Sequence, residues 1–341
     1  MTPRWCLVAI SGLAAAAFAP GRAEEKKPEV MGSVERKDPK FDDLVPKDAV
    51  LEVLAGGFKW SEGPVWVKDG GHLLFSDIPN NRVCKWSEAA GLHADFLKPS
   101  GYTGTAKFDG REPGANGLAL DKAGHLVLCQ HGDRRVARLE KDGTFTTLAD
   151  KYLGKRFNSP NDLVYHASGD LYFTDPPYGL PKQMDDPGKE LDFQGVYRLK
   201  PNGEVTLLTK EMSRPNGIGL SPDGKTLYVA NSDSADPIWK SFPVKADGTL
   251  GAGKVFFDCS AAVKEKKPGG PDGLKVDAKG NLFATGPGGV WVFDPAGKHL
   301  GTLVTGVPTA NCGFGGDGST LYITANDKLV RVKTTTKGQG F

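Results

Sequence analysis

Apolar and polar positions alternate along this chain in short runs that come round six times. Each round opens on an oxygen-bearing side chain and continues as an apolar run: Glu62-Gly-Pro-Val-Trp, Asn116-Gly-Leu-Ala-Leu, Asn161-Asp-Leu-Val-Tyr, Asn216-Gly-Ile-Gly-Leu, Asp272-Gly-Leu-Lys-Val and Asn311-Cys-Gly-Phe-Gly. A polar turn rich in Asp and Gly follows, and then a second run such as Leu73-Leu-Phe-Ser-Asp, Leu171-Tyr-Phe-Thr-Asp or Leu321-Tyr-Ile-Thr-Ala. The starts are 54, 45, 55, 56 and 39 residues apart, the length of a four-stranded propeller blade.

The third round shows the unit most fully. Asn161 to Tyr165 and Leu171 to Thr174 read as its first two strands. Gly195-Val-Tyr-Arg-Leu reads as the third and Glu204-Val-Thr-Leu-Leu as the fourth, with Pro-Asn-Gly turning between them. The last round runs out after Leu329-Val-Arg-Val-Lys, so it lacks an outer strand, and the N-terminal run Ala49-Val-Leu-Glu-Val-Leu can supply it. Closing the ring in this way removes the free sheet edges. The pattern therefore predicts an all-β fold, a single six-bladed β-propeller over residues 45–335. A pair of β-sandwich domains would need a linker, and none interrupts the repeat. Trp66, Tyr172, Phe173, Tyr228, Phe283 and Tyr322 are expected as core between blades.

The N-terminus has a different character. Arg4, the apolar stretch Trp5 to Phe18 and the small residues before Glu24 make residues 1–23 a secretory signal, which predicts an exported protein, periplasmic or secreted. The apolar stretch falls short of the roughly 20 residues that span a bilayer, so no membrane association is expected after cleavage. Polar residues 24–44 are expected as a flexible leader, and residues 336–341 as a C-terminal tail. Lys and Arg total 43 against 41 Asp and Glu, which gives no broad electrostatic pull toward nucleic acid. Once Cys6 leaves with the signal, Cys84, Cys129, Cys259 and Cys312 remain. Their spacing forms no zinc motif and leaves disulfide pairing open. The Gly-x-Ser-x-Gly, phosphate-loop and His-Glu-x-x-His signatures are absent from the sequence.

In a propeller the six first positions fall at one mouth of the central channel. Glu62, Asn116, Asn161, Asn216, Asp272 and Asn311 would then offer two carboxylates and four amides, hard oxygen donors that suit Ca²⁺. Asx residues also start strands simply as turn formers, but two carboxylates facing each other call for a cation between them.

The segments Ser61-Glu-Gly-Pro-Val-Trp, Asn158-Ser-Pro-Asn-Asp-Leu-Val, Tyr172-Phe-Thr-Asp-Pro-Pro-Tyr-Gly, Arg214-Pro-Asn-Gly-Ile-Gly-Leu-Ser-Pro-Asp and Gly270-Pro-Asp-Gly-Leu resemble the senescence-marker-protein/gluconolactonase family. The resemblance implies a propeller that hydrolyses a small-molecule lactone, above all a sugar lactone, with a divalent metal in its channel. That metal is usually Ca²⁺, with Mg²⁺, Mn²⁺ or Zn²⁺ as substitutes. It implies metal binding by Glu62, Asn161, Asn216 and Asp272, and a second role for Asp272 as general base. Asp162 and Asp175 are alternative bases. Asn116, His131, Arg156, Asp175, Tyr178 and Asn311 are the candidate substrate contacts, with Arg156 matching a substrate-binding Arg of the family. Two other functions fit the same frame: hydrolysis of organophosphates or aryl esters at this site, and a non-catalytic binding module with a structural calcium. The oligomeric state is not legible.

Overall fold

Six small antiparallel sheets surround a central channel in the computed structural model, which describes residues 1–2 and 28–341. Nearly all of the expected signal and the first residues of the expected leader lie outside the described residues. Each sheet is a meander whose strands run outward from the axis. The third blade is Leu163–Tyr165, Leu171–Asp175, Gly195–Leu199 and Val205–Thr209, hydrogen-bonded in that order. The first, second and fourth blades repeat it from Ser61–Val67, Ala115–Leu120 and Pro215–Leu220. The fifth and sixth begin at Leu274–Val276 and Thr309–Gly315 and each carry five strands.

Side chains on a strand point alternately to its two faces, so consecutive apolar residues serve opposite neighbours. Tyr172 packs into the core shared with the fourth blade, and Phe173, the next residue, into the core shared with the second. Every adjacent pair of blades has such a core, six in all among the described residues. Phe173 stacks on Tyr197 with ring centroids 5.3 Å apart and meets Phe157 edge-on at 5.2 Å. The aromatic positions of the repeat thus work as inter-blade core. The four described cysteines are buried and free, small apolar fillers in these layers.

Strand Leu51–Gly56 pairs antiparallel with Lys328–Lys333 and completes the last blade from the N-terminal side. The segment before it departs from the expected flexible leader. Val30–Met31 adds a strand outside Leu51–Gly56, and Ser33–Arg36 pairs with His299–Val304 of the fifth blade. The leader therefore straps two blades together. Its polarity concealed this, because the anchors are few. Phe41 is wholly buried in the core between fifth and sixth blades, and the Arg36 guanidinium donates to Asp42 Oδ1 at 2.7 Å and to the Val45 carbonyl at 3.1 Å.

The C-terminal tail crosses the back end of the channel. Thr336 Oγ1 donates to Asp277 Oδ2 at 2.7 Å, Gln339 Nε2 donates to the Leu220 carbonyl at 2.6 Å, and the Lys68 ammonium sits 4.2 Å from the centroid of the Phe341 ring.

A strapped leader makes a measurable prediction. Phe41→Ala should lower the unfolding free energy by about 3–5 kcal/mol, the usual loss for a buried phenylalanine. Denaturant unfolding of parent and variant checks it, and a loss below about 0.5 kcal/mol would return the segment to a loose leader.

Candidate active site at the channel mouth

The six repeat starts meet at the front of the channel, and the backbone there is built to aim them. Pairing between the first two strands slips in register between Glu62 and Val65, Ala115 and Leu118, Pro215 and Ile218, and Thr309 and Asn311. An extra residue at such a bulge bends the strand and re-aims its side chains, here at or beside the ring position. In the third and fifth blades the ring residue lies just before the paired strand. There the Asn161 and Asp272 amides donate to the Thr174 and Thr285 carbonyls at 2.8 and 3.1 Å.

Neighbouring starts are joined to each other. Gly117 N–H donates to the Asn161 carbonyl at 2.7 Å. The hydroxyls of Ser76 and Thr174 each donate to the ring carbonyl of the next blade, Asn116 and Asn216, at 2.7 Å. Such proximity explains the residue that follows most ring positions. A Cβ on Gly117 would lie 2.7 Å from the Asn161 carbonyl oxygen, and one on Gly217 would lie 2.1 Å from that of Asp272.

Glu62, Asn116, Asn161, Asn216 and Asn311 are all buried, while Asp272 is half-buried. Asn311 Nδ2 donates to Glu62 Oε2 at 3.0 Å and lies 3.4 Å from Asp162 Oδ2, so Asp162 belongs to the same cluster. Four oxygens in this space are buried and without a partner: Oδ1 of Asn116, of Asn161, of Asn216 and of Asp272. Buried polar atoms are rarely left unpaired, and four such oxygens on ring residues are donors of the kind a cation takes. The acids agree. Burial, then the charge of Asp162, pushes the Glu62 carboxyl up to about 8. Burial, then the charges of Glu62 and Asp162, lifts Asp272 well above the usual carboxylate range. A cation among these oxygens would remove both penalties. Among the described residues no cluster of three or more His, Cys, Asp or Glu side chains stands ready for a metal. The ring differs in kind, because most of its unpaired donors are amides, and it fits a hard cation.

The expected substrate contacts divide. Asn116 and Asn311 sit in the ring. His131 is buried beside it, with Nε2 3.5 Å from Asn161 Nδ2 and Nδ1 3.0 Å from Glu112 Oε2. Tyr178 lies near Asp272, and burial and then that charge push its phenol up to about 12. Two others are engaged by backbone groups. Asp175 is fully buried, and its two oxygens accept the backbone N–H of Asn158 and Ser159 at 2.8 Å each, so it holds the loop that leads to Asn161. Arg156 lies on the small hairpin Lys151–Tyr152/Lys155–Arg156, and its guanidinium donates to the Asp133 carbonyl at 3.0 Å, which ties it to the rim between blades. The sequence reading missed three charged residues. Glu112 sits beside His131, the Arg214 guanidinium lies 5.7 Å from the Tyr178 ring centroid, and the Lys275 ammonium lies 4.0 Å from Asp162 Oδ2. Glu112 comes from a long loop with no pattern. Lys275 carried a signal, because the same place in the other five rounds holds Val65, Ala119, Val164, Gly219 and Phe314.

Comparison with known proteins places this site among relatives. The profile of the SMP-30/Gluconolactonase/LRE-like region matches residues 60–327. A gluconolactonase of Zymomonas mobilis subsp. mobilis is 41% identical over 360 aligned positions, covering 99% of each chain. Regucalcin of Xenopus laevis is 30% identical over 80% of this chain and 85% of its own. The solved structure of a gluconolactonase from Xanthomonas campestris superposes with a TM-score of 0.75 at 31% identity, covering 91% of this chain and 96% of that one.

The electrostatics of the ring predict an unusual pH response in cation-free protein. A carboxyl whose folded value exceeds its unfolded one binds its proton more tightly in the folded state. Its contribution therefore favours folding at low pH and is lost as pH rises from about 4.5 through about 8, the two values for Glu62. In chelator, the parent Tm should fall across this range. Glu62→Gln should melt above the parent at pH 8 and level with it near pH 5. A parent Tm that stays flat between these limits would refute the repulsion.

Proposed function

The chain belongs to the SMP-30/gluconolactonase/LRE-like family, and we propose on that premise that it hydrolyses a sugar lactone such as gluconolactone with the help of a divalent cation held at the channel mouth. That it is a lactone hydrolase follows from full-length similarity to one gluconolactonase and close structural likeness to another. The cation and the sugar are the further steps, and the observation that carries them is the group of four unpartnered oxygens.

Glu62, Asn161, Asn216 and Asp272 would hold the ion, with Asn116 Oδ1 a fifth oxygen facing the same space. Amide and carboxylate oxygens without thiolate or imidazole favour Ca²⁺ over softer metals. When bound, the cation would supply Lewis acidity, drawing electron density from the lactone carbonyl.

The chain's own residues do the rest. Asp272 is the carboxylate we assign to take a proton from the attacking water, since it is the less buried of the two ring acids. The competing acids are otherwise occupied. Asp175 spends both oxygens on backbone amides, and Asp162 accepts the Leu163 N–H at 2.9 Å and faces Asn311 with its other oxygen. Water adds to the acyl carbon as its proton passes to Asp272, and the ring C–O bond then breaks with that proton returned to the leaving oxygen, which gives the hydroxy acid. Around the mouth, Glu112 with His131 and Arg214 with Tyr178 supply donors and acceptors suited to the hydroxyls of a sugar. Export of the protein is part of the same reading and rests on the pattern of residues 1–23 alone.

The test is hydrolysis of glucono-1,5-lactone by metal-stripped protein, with the spontaneous rate subtracted, before and after adding Ca²⁺. Activity should vanish on stripping and return with the ion. Asp272→Asn should lower kcat by about 10²–10⁴, the usual worth of a general base. Cation affinity of the same variant, measured calorimetrically, separates loss of the base from loss of a ligand. A variant that holds Ca²⁺ and turns over at the parent rate removes Asp272 from the base role.

A further inference from the structure

Behind the ring the channel opens into a cavity of 760 Å³, and the fourth residue of five of the six rounds lines it: Val65, Val164, Gly219, Lys275 and Phe314. Lysine is the one charged member of an otherwise apolar slot. Its stem lies in the cavity and its ammonium turns toward the ring, donating to the Leu274 carbonyl at 2.9 Å and lying 3.4 Å from Asn311 Oδ1 and 4.0 Å from Asp162 Oδ2. Asp162 is equally out of pattern. It takes a place that is Gly in four other rounds, and it is buried.

We propose that Lys275 is a tethered countercharge to Asp162 that sets the net charge of the ring and so selects a divalent over a trivalent cation. The proposal rests on the cation reading above. Glu62, Asp162 and Asp272 bring three negative charges to one space, and Glu112, which faces His131, adds its charge to the field at Asp272. Lys275 brings one positive charge, so it lowers the net negative charge that a bound ion meets. With Lys275 neutral, that net negative charge grows by one and favours the ion of higher charge. Asn311 links the two halves, since its amide nitrogen reaches Glu62 and Asp162 while its oxygen faces Lys275. The countercharge is thereby held at the back of the ring, away from the mouth where substrate enters.

Coulomb energy scales with the charge of the bound ion, so removing one positive charge should strengthen binding of a trivalent ion by roughly 3:2 over a divalent one on a logarithmic scale. Ca²⁺ and Tb³⁺, of similar size, are the probes, titrated calorimetrically into the full-length folded protein at constant ionic strength. Lys275→Gln, which keeps a donor toward Asn311, should bind both ions more tightly and raise the preference for Tb³⁺ by about tenfold or more. Lys275→Arg should behave as the parent. Asp162→Asn should shift the preference the other way, and the Lys275→Gln/Asp162→Asn double variant should return close to the parental ratio. A Tb³⁺ preference unchanged in Lys275→Gln overturns the proposal, as does an equal weakening of both ions there, which would mark Lys275 as a packing residue. A parent that binds neither ion overturns the cation reading and this one with it. Melting curves of each apo variant establish that the folded protein is being titrated.

Discussion

Six inner strands begin close around one axis, and that proximity governs both the fold and the chemistry. Ring carbonyls accept hydrogen bonds from the neighbouring blade, as Gly117 to Asn161 and Thr174 to Asn216 show. The spacing leaves no room for a Cβ at the next residue in several rounds, so glycine follows the ring position. The same geometry forces Glu62, Asp162 and Asp272 into one another's fields in a largely buried space. Charges so confined are tolerable only with a compensating charge in the same space. The polypeptide can supply part of that charge itself, and in the reading proposed above a cation among the amide oxygens supplies the remainder.

Holding such a repulsive centre together requires a stiff surround. The inter-blade cores provide it, since alternating side chains let one strand serve two neighbours and every blade is clamped on both faces. The N-terminal segment adds a strand to the fifth blade and another to the sixth, at the place where the chain closes on itself. The tail does related work at the back, touching the fifth, fourth and first blades in turn. Both ends of the chain thus reinforce the ring from outside its inner strands.

The fold was legible because a repeat multiplies weak signals. One Asp-Gly turn after an apolar run says little, but six at similar spacing specify a propeller and bring six side chains to one address. The ring residues were legible for the same reason. What stayed hidden was set by contacts without period. Phe41 anchors the leader through a single buried side chain amid polar neighbours. Asp175 ends its strand as Asp77 ends its own, yet only the fold reveals that its oxygens are spent on the backbone of the Asn158–Ser159 turn. Glu112 and Arg214 reach the mouth from outside the repeated core, where length and sequence vary from blade to blade. Lys275 and Asp162 lie between these cases. They break the pattern at fixed offsets from the ring, so the repeat that reveals the fold also exposes them as exceptions.

A propeller with an ion in its channel need not be an enzyme, because a cation can serve purely as a plug. What argues against a plug here is the difference between the two ring acids. Glu62 is sealed, bonded to Asn311 and to the adjacent backbone, as expected of a residue that only holds. Asp272 is less deeply buried, and Tyr178 stands near it. A plug would gain nothing from burying one of its acids less deeply than the other. A hydrolase needs that asymmetry, because the carboxylate that accepts a proton must reach the incoming water while its partner keeps the site in place. The asymmetry of the ring thus fits the proposed hydrolase better than a plug. The countercharge of Lys275 lies behind it, where it can balance the acids without meeting the substrate.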